Sequence, residues 1–262
     1  MGVGQIPQSR PAVEEHALNR LGIVAAMPLE RRWLASTAGG ARPAVEVCGV
    51  GAAGARRAAL RLVDLGVDAL ASWGMAAGLD PGLAAGAVVI PDRVIGSQAH
   101  EYAPDSLWRR RVLDRLGEAV TVCDDPLADT PTILDIPDVK GAIFERTGAA
   151  AADMESAAVA QVAAEHELPL LVIRVVLDAA AVTLPGSLGR VINDTGRVRV
   201  PQLMIRAALD PRGWPRWPGL VRSFLAAGHS MRTVWSLAAP DLALREESLR
   251  GENGRRDRHH KW

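Results

Sequence analysis

With 262 residues, of which 48% are apolar, the chain is long enough for one large α/β domain with a well-buried core. Its 30 basic and 30 acidic side chains cancel, no apolar run is long enough to span a bilayer, and the N-terminal MGVGQIPQSRPAVEEHALNR lacks the apolar centre of a secretory signal. On these features neither a membrane-spanning nor a secreted protein is expected, but a cytoplasmic chain with no nucleic-acid partner. MGVGQI begins like a myristoylation signal, but Ile6 stands where Ser or Thr is needed. Cys48 and Cys123 are too few for a disulfide framework or a zinc site, and the histidines show no ligand spacing outside the tail pair His259–His260. No metal and no cofactor is expected.

Residues 1–19 have no clear periodicity and are expected to form a loose arm. LGIVAAM (21–27) is read as a first strand, and PLERRWLAS follows as a helix with Pro28 at its first turn. PAVEVCGVG (43–51) alternates into a second strand and a glycine turn, and AAGARRAALRLVDLG has apolar residues at helical spacing up to Gly66. VDALASWG (67–74) and GAVVIPDRV (86–94) are read as third and fourth strands. SLWRRRVLDRLGEAV is helical, GAIFERTGAAAADM carries two short strand-like pieces, and MESAAVAQVAAEHEL is an alanine-rich helix. Strands alternating with helices imply one three-layer α/β domain, over residues 20–195, around a central mainly parallel or mixed sheet.

The most informative stretch is AAAADMESAAVAQVAAEHELPLLVIRVVLD (149–178). It joins Asp153 and Glu155, on either side of Met154, to a helix, an apolar run and the lone carboxylate Asp178. Leu170–Leu177 is apolar except for Arg174 and is read as a strand buried on both faces. Asp178 then stands at the C-terminal end of that strand, where open α/β sheets place their ligands. A carboxyl group among apolar neighbours has a raised pKa and acts as a general acid. A protonated acid beside an ionised one is the equipment for cleaving a glycosidic bond. Residue by residue, a bland reading stands equally well: Asp178 as a helix cap, and Asp153 and Glu155 as first-turn residues favoured by the helix dipole.

Gly49-Val-Gly51-Ala-Ala-Gly54 fits G-x-G-x-x-G between a strand and a helix, but the dinucleotide fingerprint also needs an acid ending the next strand. That strand ends Ala71-Ser72-Trp73-Gly74, and Asp68 lies at its start. The turn is therefore read as tight packing, or as amides facing an anion or a sugar hydroxyl.

Five segments recur in order: GIVAAMPLE (22–30), GVGAAGARRAA (49–59), SWGMAAGLDPGLAAGAVVIPDRV (72–94), ADMESAAVA (152–160) and VIRVVLDAA (172–180). Over residues 21–185 they resemble the purine nucleoside phosphorylase and nucleosidase superfamily, in particular its methylthioadenosine/S-adenosylhomocysteine nucleosidase branch. FERTGAAAADMESAAVA (144–160), VVLDAAAVTLPGSL (175–188) and an Arg- and Pro-rich extension after Thr195 further resemble the hopanoid-associated phosphorylases, which remove adenine from adenosylhopane. The resemblance implies that Asp178 protonates the purine at N7, Glu155 holds the ribose 2′- and 3′-hydroxyls, Met154 packs on the sugar and Glu30 activates water. Asp153, Met27, Gly74 and Met75 complete the implied substrate site. Three positions depart from the pattern. Leu177 replaces a Ser or Asn before the acid, Ala181 stands near the place of a second acid, and Met75 stands where phosphorolytic members have a Ser that helps hold phosphate. Arg31 and Arg32 are candidates to compensate, since Arg suits phosphate. Inorganic phosphate is thus a possible co-substrate, and water the alternative.

The charge is uneven: residues 197–262 carry 13 basic and 6 acidic side chains. Within 197–239, Trp217, Leu220, Val221, Phe224, Leu225, Met231 and Trp235 fall on one helical face, flanked by Arg216, Arg222 and Arg232. The basic helical extension (196–245) is read either as a helix packed on the domain or at a dimer interface, or as an interfacial helix resting on an anionic membrane. A solvated tail (246–262) follows. Three functions are expected to compete: cleavage of a lipid-linked adenine nucleoside, a soluble nucleosidase for methylthioadenosine or S-adenosylhomocysteine, and a non-catalytic binding protein of the same fold. The resemblance also implies a homodimer or higher homo-oligomer.

Overall fold

The computed structural model describes residues 20–34, 43–96, 100–184 and 217–242. The arm expected over 1–19, the start of the extension at 196–216 and the tail at 246–262 lie outside the described residues. The first half follows the expected order: β1 (Leu21–Ala25), α1 (Pro28–Trp33), β2 (Ala44–Val47), α2 (Ala52–Asp64) and β3 (Ala69–Gly78). Then come β4 (Val88–Val89), β5 (Val94–Ile95), β6 (Glu101–Tyr102), α3 (Ser106–Leu116), β7 (Val122–Cys123) and β8 (Leu127–Asp129). The last part is α4 (Pro137–Thr147), β9 (Ala151–Asp153), α5 (Ser156–Glu165), β10 (Leu170–Asp178) and a long helix, α6 (Trp217–Leu242).

All ten strands form one mixed sheet, ordered β6-β5-β8-β9-β3-β10-β4-β7, with β1 and β2 branching from β3. Strand β3 organises it. Its first half pairs in parallel with β1, its last two residues pair antiparallel with β9, and β10 runs parallel along its other edge. The parallel pairing of β10 with β3 shifts register between Val176 and Asp178, so a bulge at Leu177 ends the ladder where Asp178 stands.

Two expectations are corrected. Residues 86–94 are not one strand: β4 pairs with β10 and β7, whereas β5 pairs with β6 and β8. Pro91 lies in the break, and without an N–H it cannot donate to a ladder. Residues 141–147 are not strand-like but the body of α4, which starts at Pro137, upstream of that segment. The helix stops at Gly148 in the left-handed conformation (φ 64°), where the Gly148 N–H caps Phe144 O at 2.8 Å.

Each face of the sheet carries its own core. On one side α2 and α5 bury mostly small residues, among them Ala55, Ala58, Ala59 and Ala160, together with Leu62, over Val172 and Val176. On the other, α1, α3 and α6 cover Ile23, Trp73, Ile173 and Val175. Helix α6 buries Ala227, Met231, Val234 and Trp235. Its Phe224 lies 5.9 Å from the Trp33 ring, and its Trp235 lies edge-on to Trp73 at 6.0 Å. The apolar face expected for this helix is therefore divided: Met231 and Trp235 pack inward, while Val221 and Leu225 remain 52% and 62% exposed.

The third glycine of the G-x-G-x-x-G turn has a packing role. A Cβ on Gly54 would lie 2.5 Å from the backbone oxygen of Cys48, so α2 approaches the end of β2 more closely than any side chain permits. Gly54→Ala should destabilise the fold by about 1–3 kcal/mol, because backbone must move to relieve the clash. Urea unfolding should show it as a lower midpoint, with Arg57→Ala, at an exposed position of the same helix, changing it little.

Candidate active site

The candidate residues converge at the carboxyl ends of the strands. After β1 the chain turns at Met27 into α1, and the Glu30 side chain folds back: its Oε2 accepts the Met27 N–H at 2.8 Å, a capping-box contact. Its Oε1 accepts the Met75 N–H, near the end of β3, at 3.0 Å. Glu30 is 1% exposed, and burial holds its pKa above the ordinary value against the pull of Arg174. After β2, Gly49 and Gly51 take positive φ (77° and 104°), which aims the Gly51 N–H at Glu155 Oε1, 2.7 Å away. One amide of this turn, read from the sequence as tight packing or as facing an anion or a sugar hydroxyl, thus donates to the protein's own Glu155.

Asp153 ends β9, and its carboxylate caps α5 by accepting from Ser156 N at 3.1 Å and Ser156 Oγ at 2.6 Å. Glu155 occupies the N-cap position of the same helix, α5, without making a side-chain cap bond. Both are buried.

Arg174, from the middle of β10, joins these groups. Its Nε donates to Asp153 Oδ2 at 2.6 Å, and its Nη2 donates to Ser72 Oγ at 2.7 Å and Ser156 Oγ at 3.0 Å. Its Nη1 is buried without a hydrogen-bond partner. That nitrogen and Glu30 Oε1 flank Gly74, where a Cβ would lie 2.4 and 2.8 Å from them. Gly74 therefore leaves room for an unsatisfied donor beside a buried acceptor. Burial opposes the charge of Arg174, but Asp153, Glu155 and Glu30 outweigh it and hold the guanidinium ionised. One cation among three carboxylates cannot keep all of them charged. Burial and Asp153 push Glu155 up to about 8, against Arg174 and the Gly51 amide.

Asp178 belongs to a second centre. It is 2% exposed, and its Oδ2 accepts from the Lys140 ammonium of α4. Burial pushes Asp178 up to about 6, with Lys140 pulling the other way. No helix begins at Asp178, so the cap reading does not apply to it. Met154 is half-buried between Asp153 and Glu155, and Arg31 and Arg32 are exposed on α1. Ala181 is exposed just beyond β10. An open cleft of about 480 Å³ between the turn at Thr130–Leu134 and α4 contains none of the candidate carboxylates. Among the described residues no group of three or more His, Cys, Asp or Glu is placed to hold a metal ion.

Arg174 and Lys140 were not among the expected site residues. Arg174 had a visible signal, as the lone charge in an apolar strand. Lys140 also had one: it and Lys261 are the chain's two lysines, every other basic residue being Arg.

Buried acids with raised pKa values, gathered at the carboxyl ends of a mixed sheet, mark a candidate enzyme site of the α/β class. The sequence profile of the phosphorylase superfamily matches residues 13–198, and the chain belongs to that superfamily, an enzyme family of nucleoside phosphorylase and nucleosidase type. No curated protein sequence matches significantly. Among solved structures, the methylthioadenosine/S-adenosylhomocysteine nucleosidase of Neisseria meningitidis in complex with methylthio-immucillin-A superposes with a TM-score of 0.62 at 17% identity, covering 86% of this chain and 98% of that one. A putative nucleosidase of the same kind from Francisella philomiragia gives 0.60 at 16%, covering 85% and 99%. The futalosine hydrolase of Helicobacter pylori gives 0.55 at 15%, covering 62% and 89%.

The Glu155 environment fixes the sign of a pH effect on stability. The carboxyl keeps its proton up to about 8 in the folded chain, against an ordinary value of 4.5. Between those values the folded chain binds more protons than the unfolded one, so stability is highest below the ordinary value and is lost as pH rises towards 8. Glu155→Gln, which cannot ionise, should flatten that decline. Urea unfolding at pH 5 and pH 8 tests it, and a wild type that gains stability over this range contradicts the assignment.

Proposed function

We propose that the protein cleaves the N-glycosidic bond of an adenine nucleoside, with Asp178 as general acid and Glu155 as the ribose-binding carboxylate. The observation that carries this reading is the division of the buried acids into two centres. Glycosidic cleavage makes two opposite electrostatic demands: negative charge under the sugar as C1′ becomes cationic, and a proton for the leaving base. The cluster of Glu30, Asp153 and Glu155 around Arg174 answers the first demand, and Asp178 answers the second. Solved relatives of the same fold hold methylthio-immucillin-A or adenine, which supports an adenine nucleoside.

In this mechanism the C1′–N9 bond breaks with its electron pair moving to the purine. Asp178 transfers its proton to N7 so that neutral adenine leaves. Glu155 accepts hydrogen bonds from the ribose hydroxyls, which brings in a donor and a developing cation that both favour its ionised form. The nucleophile's oxygen, from water or phosphate, takes the place between Arg174 Nη1, which lacks a partner, and Glu30 Oε1. Glu30 receives the proton when that nucleophile is water. General acid help of this kind is worth on the order of a hundred- to ten-thousandfold.

Asp178→Asn should lower adenine release from 5′-methylthioadenosine by at least about a hundredfold while the fold is retained. An unchanged rate removes Asp178 from this role. The same assay without phosphate separates the two nucleophiles: full turnover there identifies water, and phosphate-dependent turnover with a phosphorylated sugar product identifies phosphorolysis. Glu155 must be ionised, so activity falls below about 8, and Asp178 must be protonated, so activity falls above about 6. The two conditions together give a bell-shaped kcat/KM centred near pH 7, with apparent limbs near those values.

For the 5′ substituent we favour an adenosylated lipid of the adenosylhopane type, on the sequence resemblance to hopanoid-associated phosphorylases. A soluble methylthioadenosine or S-adenosylhomocysteine nucleosidase is the second reading, favoured by the solved structures. Exposed Val221 and Leu225 beside exposed Arg222 and Arg232 on α6 support contact of the cytoplasmic protein with an anionic membrane. Sedimentation with anionic vesicles should capture the protein at low salt and release it at high salt. Val221→Ser combined with Leu225→Ser should weaken capture, and a protein that ignores such vesicles at low salt loses this support for a lipid substrate.

A further inference from the structure

We infer that Lys140 is a positioning residue of the proposed reaction: its buried ammonium fixes one oxygen of Asp178, leaves the other to deliver the proton, and stabilises the carboxylate that delivery creates. This inference rests on the glycosidic reading above. Lysine is seldom buried, yet Lys140 is 0% exposed. Its Nζ has three donors and spends all three, on Asp178 Oδ2, on Ala179 O at 3.1 Å and on Val182 O at 3.2 Å. The two carbonyls belong to the turn that follows β10, so a single side chain of α4 holds both the acid and the chain leaving it. A structural ion pair needs no such choice of cation, and this chain otherwise uses Arg almost throughout: Lys140 and Lys261 are its two lysines. A planar guanidinium cannot direct three donors tetrahedrally to acceptors on one side, whereas an ammonium can.

The pair is also electrically separate from the sugar-side cluster. Glu30, Asp153, Glu155 and Arg174 act on one another, and the ionised group that acts on Asp178 is Lys140. From the flanking strands, β3 places Ala77 opposite Asp178, and β4 pairs with β10 through Val88 and Val89, none of which ionises. As C1′–N9 breaks, the Asp178 proton passes to N7 and a carboxylate forms against the ammonium. Lys140 keeps its own protons throughout, and Asp178 regains one from solvent after adenine leaves. Fixing Oδ2 assigns the donor role to Oδ1. The ammonium thus makes Asp178 a stronger acid, at the expense of holding its proton to a lower pH.

Two variants separate charge from packing. Lys140→Gln keeps a donor for Asp178 without charge, and Lys140→Arg keeps the charge without the ammonium geometry. In a carbon-13 NMR titration of the Asp carboxyls, with the Asp178 signal assigned through Asp178→Asn, the Asp178 midpoint should rise by about one pH unit or more in the Gln variant and stay near wild type in the Arg variant. The optimum of kcat/KM for 5′-methylthioadenosine should move to higher pH in the Gln variant only. At the optimum the Gln variant should lose at least about tenfold more activity on that substrate than on a 7-methylpurine nucleoside, which needs no proton at N7. An unmoved midpoint, or equal losses on the two substrates, overturns the inference. A wild type that releases purine from neither nucleoside overturns the glycosidic reading and this role with it. The titration alone then decides whether Lys140 tunes Asp178.

Discussion

A single buried guanidinium governs the charge of the sugar-side cluster. Arg174 is 1% exposed in the middle of the sheet, and an isolated charge there would cost several kcal/mol. Asp153 offsets its charge, while the hydroxyls of Ser72 and Ser156 satisfy donors without adding any. The arrangement then dictates its surroundings. Gly74 must lack a side chain, because a Cβ would strike Nη1. Burial and the neighbouring Asp153 hold Glu155 up at about 8, more than Arg174 offsets. The Arg174 Nη1 is left without a hydrogen-bond partner, beside Glu30 Oε1 at Gly74.

Strand β10 carries both centres, Arg174 for one and Asp178 for the other. Four residues of extended chain separate their backbones by roughly 13 Å, and each charge is neutralised locally. Lys140 therefore acts on Asp178 without disturbing the cluster, and the groups of the cluster act on one another without acting on Asp178. A single merged network would couple the two titrations, and every gain in negative charge under the sugar would raise the acid's hold on its proton. The bulge at Leu177 is the backbone feature that turns the strand at this division.

Two of the three departures from the family pattern lie in the apolar layer that α6 joins. Leu177 and Met75 are both half-buried and both pack on the α1, α3 and α6 side of the sheet, where Phe224 also lies. Apolar side chains at those positions meet an apolar layer. Met75 still contributes what the cluster requires of it, a backbone N–H to Glu30, which no side-chain change removes. Leu177 and Met75 are therefore matched by packing and leave the buried acids in place, whereas Ala181 is exposed beyond β10.

Much of the architecture was legible because it is local: alternating strands and helices, Pro28 and Gly66 as boundaries, and Asp178 at the end of an apolar run. The errors arose where context decides. Pro91 divides what composition joins, and the start of α4 at Pro137 lay outside the segment in which its end was read as strand. Partners distant in sequence, such as Lys140 for Asp178 and Gly51 for Glu155, leave no spacing to detect. The bland and the catalytic readings of these acids do not exclude each other. Asp153 caps α5 with the same oxygen that binds Arg174. Glu30 closes the first turn of α1 with one oxygen and reaches β3 with the other. A carboxylate that already holds backbone in place loses little further freedom when it meets a ligand, so capping and binding are compatible roles for these acids.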